Sequence, residues 1–233
     1  MRFSKDACFT DLEHRILSTD LPPGSDLDEV SLASHYGISR TPLREVLQRL
    51  AGAGYVQISD RRGAKVASMD LDTMRTFFQT APMIYANIGR LAAENRTAAQ
   101  LDQLKTAQRS FASATAQGAA GAAALANHDF HAIIGDMAAN SYLVAALKRL
   151  LIDHTRLSQT FYRPTNAPDA TRIQTAVDQH DTMIDAIEAH DSARIVDLTL
   201  QHWDLSRDQM ERFVRPDPLP VMMDQTQDVT NAV

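Results

Sequence analysis

The sequence has a single cysteine, Cys8, in 233 residues, so no disulfide can form within the chain and a reducing compartment fits. No stretch approaches the ~20 apolar residues of a membrane span. Nothing near the first residue joins a basic start to an apolar run. These absences lead us to expect a soluble, cytoplasmic protein with no membrane partner. Basic charge is also in deficit: 23 Lys and Arg stand against 29 Asp and Glu, a net charge of -6, which would exclude nucleic acid as a partner if charge were evenly spread. It is not. Residues 40–66 hold six basic side chains and two acidic ones, a net of +4, and residues 67–233 carry a net of -6. A basic face on an acidic chain calls for an explanation. With 44% hydrophobic and 22% charged residues, the chain is long enough for one large or two modest domains.

The first segment, FTDLEHRILST, places Leu12, Ile16 and Leu17 on one helical stripe and stops at DLPPGS. LDEVSLASHYG predicts a short second helix closed by Gly37, the residue suited to a left-handed cap. In the following stretch Thr41 is the expected cap and Pro42 the first helical residue of a third helix. There Leu43, Val46, Leu47 and Leu50 form the buried stripe, and Arg40, Arg44 and Gln48 lie on another face at spacings of four. GYVQIS and AKVAS then alternate apolar and polar residues as two strands joined by a basic tip, DRRG. Three short helices followed by a basic hairpin describe a winged helix-turn-helix. In that arrangement the third helix enters the DNA major groove with its N-terminal residues at base edges and phosphates, where Arg40 and Arg44 stand. Arginine can fork onto guanine O6 and N7, and hydroxyls such as Thr41 can hold phosphates. Ala33 allows a close helix crossing and Gly37 makes the turn. Any one of these arginines could be part of a solvated helix face. The order of capped helix, arginine spacing and basic hairpin favours DNA.

LPPGSDLDEVSLASHYGISRTPLREVLQRLAGAGYV, followed by RRGAKV, resembles the DNA-binding domain of GntR-family transcriptional regulators over about residues 8–67. The resemblance implies DNA contacts at Arg40, Thr41 and Arg44, and at Arg62 and Gly63 in the wing. Relatives that carry an arginine on the second helix use it on DNA. Val30 occupies that position here, so the resemblance implies no such contact from it.

Residues 70–213 are helical by every local test, with six or seven helices expected and capping stretches at NRTAAQL, ANSYL and HDSARI. SATAQGAAGAAALA, residues 113–126, contains two glycines and reads as a loop between helices. The tail from residue 214 has three prolines and no periodicity, which predicts disorder. The chemistry of this half lies in its histidines. NHDFHAIIGDM places Asn127 and His131 four apart on one face beside Phe130, Ile133 and Ile134. His180 lies beside Val177, Met183, Ile184 and Ile187, and His202 beside Ile195, Leu198 and Leu205. Three histidines at the edges of three apolar stripes can converge inside a bundle, where they would either be satisfied core residues or hold zinc, nickel, copper or iron with one position left open. His128, His154 and His190 fall off this pattern and are expected on the surface or in loops.

The order NHDFHAIIGDMAANSYL, QHDTMIDAIEAHDSARI and LQHWDL resembles the all-helical FCD ligand-binding domain of the FadR branch of the same family. Many such domains hold a metal with an Asp and three His. The resemblance places the three at His131, His180 and His202 and the Asp position at Asn127, where a neutral amide is a poorer ligand than a carboxylate. Many FCD domains also carry an arginine and a glutamate in a pattern like R-x-x-L-E, where this chain has Ala81 and Tyr85; Pro82 beside them would kink or start a helix. Arg156 is a substitute contact for an acidic effector, or else a salt-bridged bundle arginine.

The fold expected is mainly α: a winged helix-turn-helix over 1–69, an all-helical antiparallel bundle over 70–213 and a disordered tail over 214–233. The function expected is a ligand-responsive regulator, and of the two signs of control repression. It would bind a palindromic double-stranded DNA operator as a homodimer and be switched by a small metabolite, such as a carboxylate, in a pocket holding a divalent metal, zinc or nickel. The rivals are a three-histidine metalloenzyme and a regulator that senses the metal itself. Against the enzyme, no motif places a carboxylate base near the histidines, and no nucleophile constellation is present.

Overall fold

A computed structural model describes residues 3–59 and 63–214. The chain runs α1 (Lys5–Leu17), β1 (Asp26–Leu27), α2 (Glu29–Tyr36), α3 (Arg40–Ala53), β2 (Val56–Ser59) and β3 (Gly63–Val66), then α4 (Leu71–Asn95), α5 (Ala98–Ala116), α6 (Ala120–Met137), α7 (Ser141–Phe161), α8 (Ala167–Glu188) and α9 (Ser192–Val214). The strands form an antiparallel sheet in the order β1-β3-β2, with Val56 opposite Val66 and Ser59 opposite Gly63.

The N-terminal helices bury the stripes their spacing implies. Leu12 and Ile16 of α1 meet Leu43, Val46, Leu47 and Leu50 of α3, with Tyr36 and Val66 closing the same core. Gly37 ends α2 at φ +63°, in the left-handed region where a Cβ would be strained. Two local expectations are corrected, and one element was not foreseen. The third helix has Ser39 at its N-cap position, without a side-chain capping bond, and begins at Arg40, so Thr41 and Pro42 fall inside its first turn, where proline still costs no hydrogen bond. α1 begins at Lys5, earlier than its apolar stripe suggests, because the Ser4 side chain accepts from the Ala7 N–H. The two-residue β1 pairs with β3, a strand too short to leave a period in the sequence.

Six described helices build the second half. Asp70, Asn140 and Asn166 accept from backbone N–H groups at the starts of α4, α7 and α8, and Thr97 with Gln100 forms a reciprocal cap on α5. Phe77, Ile84, Ile88, Leu104, Phe130, Ile134, Leu147, Leu151, Met183, Ile187, Ile195 and Trp203 fill their common core. The loop expected over residues 113–126 shrinks to residues 117–119: α5 runs on to Ala116 and α6 begins at Ala120, because alanine is the best helix former and only Gly118, at φ +65°, needs to leave the helix. Pro82 sits within α4 rather than at its start. The tail expected to be disordered lies, beyond Val214, outside the described residues.

α7 joins the two halves. Its Ile152 is buried in the core built by α1, α3 and the sheet, while Leu147 and Leu151 belong to the bundle core.

Candidate functional site

Two places carry the chemistry. At the first, Arg40 and Arg44 emerge one turn apart at the start of α3, and both turn to one carboxylate oxygen of Glu29 in the first turn of α2, at 3.3 Å and 2.8 Å. Burial pushes the Glu29 carboxyl up, and the hydrogen bonds from Arg44 and Arg40 outweigh it and hold the group below its usual range. Both guanidiniums remain more than half exposed, so these pairs are weak and can be exchanged for other anions. Arg40, Arg44 and Gln48 of α3 line one cleft with Ile58, Gly63 and Lys65 of the hairpin. Gly63 is exposed at φ +73° with open space where a Cβ would stand. Thr41 is exposed beside Arg40. Arg62 lies outside the described residues. Val30, 61% exposed, and Ile58, 48% exposed, line the same cleft, which the alternation of strand and helix residues did not reveal.

At the second, α6, α8 and α9 bring His131, His180 and His202 together, with one nitrogen of each within 4.8 Å of the others. All three are buried. The His180 ring stacks on Phe130 at 3.9 Å between centroids, with Phe111 at 4.8 Å. Hydrogen bonding fixes its tautomer. The Gln108 amide nitrogen donates to the Val177 carbonyl and to Asp181, so its oxygen faces His180 Nδ1 at 3.0 Å and that nitrogen carries the proton. His180 Nε2 therefore presents a lone pair, 3.3 Å from His202 Nε2. The Gln179 oxygen lies 2.8 Å from His202 Nδ1 and orients that ring likewise. Two imidazole lone pairs facing each other repel unless a proton or cation stands between them. His131 Nε2 and the Oδ1 of Asn127, one turn earlier on α6, are buried without a hydrogen-bond partner. Unmatched buried polar atoms beside three converging imidazoles fit a divalent cation held by the three imidazole nitrogens. Burial holds all three imidazoles neutral, His202 at about 4 and the other two well below the ordinary range, the state a metal ligand needs.

His154 corrects the expectation that it is a surface or loop residue. It is buried on α7, its Nδ1 2.8 Å from the Tyr85 hydroxyl and its ring 5.2 Å from that of His131, and burial depresses it to about 3. His128 is half-buried on α6, its Nδ1 2.8 Å from the Thr155 hydroxyl. His190 is at the exposed turn after α8, as expected. Tyr85 and His154 approach across 69 residues of sequence, so no spacing rule pairs them.

Arg156 stands apart from the histidines. Its guanidinium is buried, paired with Asp153 and donating to the Ala67 carbonyl at 2.7 Å, where β3 leads into α4. It is thus the salt-bridged arginine of the two readings. Asp153 also pairs with Arg149 at 3.0 Å, and Arg149 lies over Gly54, the C-cap of α3: a Cβ at Gly54 would fall 2.5 Å from its Cδ. One face of α7 thus grips α3 and the end of the hairpin, while His154, next to Asp153, reaches the histidine group.

Residues 78–205 match the FCD domain, and residues 5–66 match the bacterial regulatory proteins of the gntR family. The chain is similar to the HTH-type transcriptional regulator LutR of Bacillus subtilis, 24% identical over 206 residues that cover 80% of this chain and 92% of that protein. It is also similar to the HTH-type transcriptional repressor RspR of Escherichia coli, 31% identical over 97 residues, 40% of this chain and 42% of that one. Among solved structures, E. coli McbR/YncC superimposes with a TM-score of 0.77 over 92% of this chain and 100% of its own, at 18% identity, a likeness of fold.

Proposed function

Because the chain belongs to the gntR family of bacterial regulatory proteins and carries an FCD domain, it is a transcriptional regulator rather than an enzyme, and we propose that it binds a two-fold-symmetric operator as a homodimer and releases it when a small anionic metabolite enters a metal-containing pocket. Residues 1–69 form the DNA-binding domain in this reading and residues 70–213 the effector domain. Arg40 and Arg44 reach base edges, while Thr41, Arg62 and Gly63 approach phosphates; the phosphate contacts supply affinity and the base contacts sequence preference. Helix-turn-helix domains of this kind read two half-sites about one helical turn apart, which a dimer supplies.

Asn127, His131, His180 and His202 hold the divalent metal, zinc or nickel, in the bundle. Such a metal would supply Lewis acidity toward an oxygen ligand. The protein's own residues do the rest: Gln108 and Gln179 orient two of the rings, Phe111 and Phe130 shield His180 from water, and α7 carries a change at His154 to Asp153, Arg156 and Arg149. To act as a switch the metabolite must bind the two dimer geometries unequally, by a few kcal/mol.

The observation that carries this reading is the single cleft shared by Arg40, Arg44, Gln48, Gly63 and Lys65, tied through α7 to a buried three-histidine group. The test is selection of genomic DNA fragments by the purified protein at near-physiological salt, where nonspecific electrostatic binding is weakened. Enrichment of a short symmetric site supports the reading, and absence of any enriched sequence, with and without added zinc, refutes it. A second reading, in which the ion is itself the signal, draws on the 3.3 Å approach of His180 and His202, which a cation between them would relieve. DNA affinity that follows free zinc with no organic ligand present would favour it.

A further inference from the structure

The histidine group is electrically neutral to an unusual depth. No carboxylate joins His131, His180 and His202 among the described residues, and the side chain one turn before His131 is the amide of Asn127. The groups that orient the rings are amides too, Gln108 on His180 and Gln179 on His202. The nearest acid in that chain of bonds, Asp181, is reached only through Gln108. A dication held by this set would keep its full double charge inside the bundle, and a buried charge without a counter-charge is strongly disfavoured. The buried arginine of the same half already has its charge matched, since Arg156 pairs through Nη2 with Asp153 and donates through Nη1 to the Ala67 carbonyl.

We propose that the metal and an anionic carboxylate ligand enter this site as one cooperative unit, each raising the other's affinity, because Asn127 withholds the negative charge that would let the metal bind alone. This rests on the metal-site reading given above and adds its regulation: occupancy by the ion is conditional on the metabolite, and neither alone is a strong signal. The coupling is reciprocal by thermodynamic necessity. The Oδ1 of Asn127 and the Nε2 of His131, one turn apart on α6, are buried without a hydrogen-bond partner. Tyr85 and His154 border His131, with ring centroids at 5.3 Å and 5.2 Å. Whichever of the two gives the proton to their mutual hydrogen bond, the pair retains one further O–H or N–H, a donor suited to the second oxygen of a carboxylate.

The experiment is a calorimetric titration of the full-length protein with zinc in a non-coordinating buffer, with and without acetate or succinate, for wild type and Asn127→Asp. Asn127→Asp changes one atom and introduces the missing charge, and its thermal melt checks that the fold is kept. Wild type is expected to bind zinc weakly alone and about 5- to 150-fold more tightly with carboxylate, the usual span of site-to-site coupling. Asn127→Asp should bind zinc tightly alone and lose most of that carboxylate dependence. Zinc affinity of the wild type that is high in the absence of carboxylate, or indifferent to it, overturns the cooperative unit and leaves the metal site standing. No zinc uptake by either protein under any of these conditions removes the metal site itself.

Discussion

Replacing Arg44 by alanine should separate DNA recognition from folding. The side chain is 59% exposed and its one ion pair is to a Glu29 oxygen that Arg40 also engages, so the stability loss should stay within about 0.5 kcal/mol. The loss on DNA is larger. A bidentate arginine is worth about 1–3 kcal/mol of discrimination at its base pair. Two half-sites double that to about 2–6 kcal/mol, at least about 30-fold in operator affinity. Nonspecific DNA should lose only one phosphate-compensating charge per protomer, lowering the salt slope by about one for each. Arg44→Lys sharpens the comparison, because it keeps the charge and loses the planar fork: it should restore the salt slope and leave the operator preference impaired. Fluorescence anisotropy with operator and scrambled duplexes at several salt concentrations reads all of these. An Arg44→Ala protein that holds its operator as tightly as wild type, or loses affinity equally for both duplexes, refutes the placement of α3 in the major groove.

His131→Ala, His180→Ala and His202→Ala should each reduce metal content measured on the purified protein in the presence of carboxylate, and unchanged content in all three removes the site. Acid should destabilise the metal-free protein early. Burial depresses the folded-state values of His131, His180, His154 (about 3) and His202 (about 4), while the unfolded chain takes up protons near the ordinary value of about 6.5. Stability is therefore fully present above about pH 6.5 and falls as the pH drops from there through 4 to about 3. Thermal melts in chelator that stay flat between pH 7 and 5 would contradict this. Arg156→Met should cost about 3 kcal/mol in urea denaturation, the lower end for breaking a buried pair, because Arg149 still faces Asp153. If the grip of α7 on the hairpin transmits the switch, the same variant should also weaken the effect of effector on DNA affinity.

Sequence alone determined the two-part organisation, because helical stripes, caps and the hairpin alternation are local. Leu43, Val46, Leu47 and Leu50 name the buried side of α3, and so place Arg40 and Arg44 outside, before any tertiary contact is known. Composition misled at residues 113–126, where two glycines suggested a loop that the helix-forming alanines reduce to three residues. The convergence of His131, His180 and His202 was legible only as three apolar stripes with a histidine at each edge. Their approach to within 4.8 Å depends on how α6, α8 and α9 cross. Tertiary structure alone decided the rest. Glu29 meets both arginines because α2 packs beside α3. Tyr85 and His154 meet because α4 and α7 are neighbours in the bundle. Arg156 turns to Ala67 and Asp153 rather than to the pocket because α7 runs along the seam between the halves. Periodicity reports which side of an element is buried; which elements then share that buried space is set by long-range packing, and no local spacing records it.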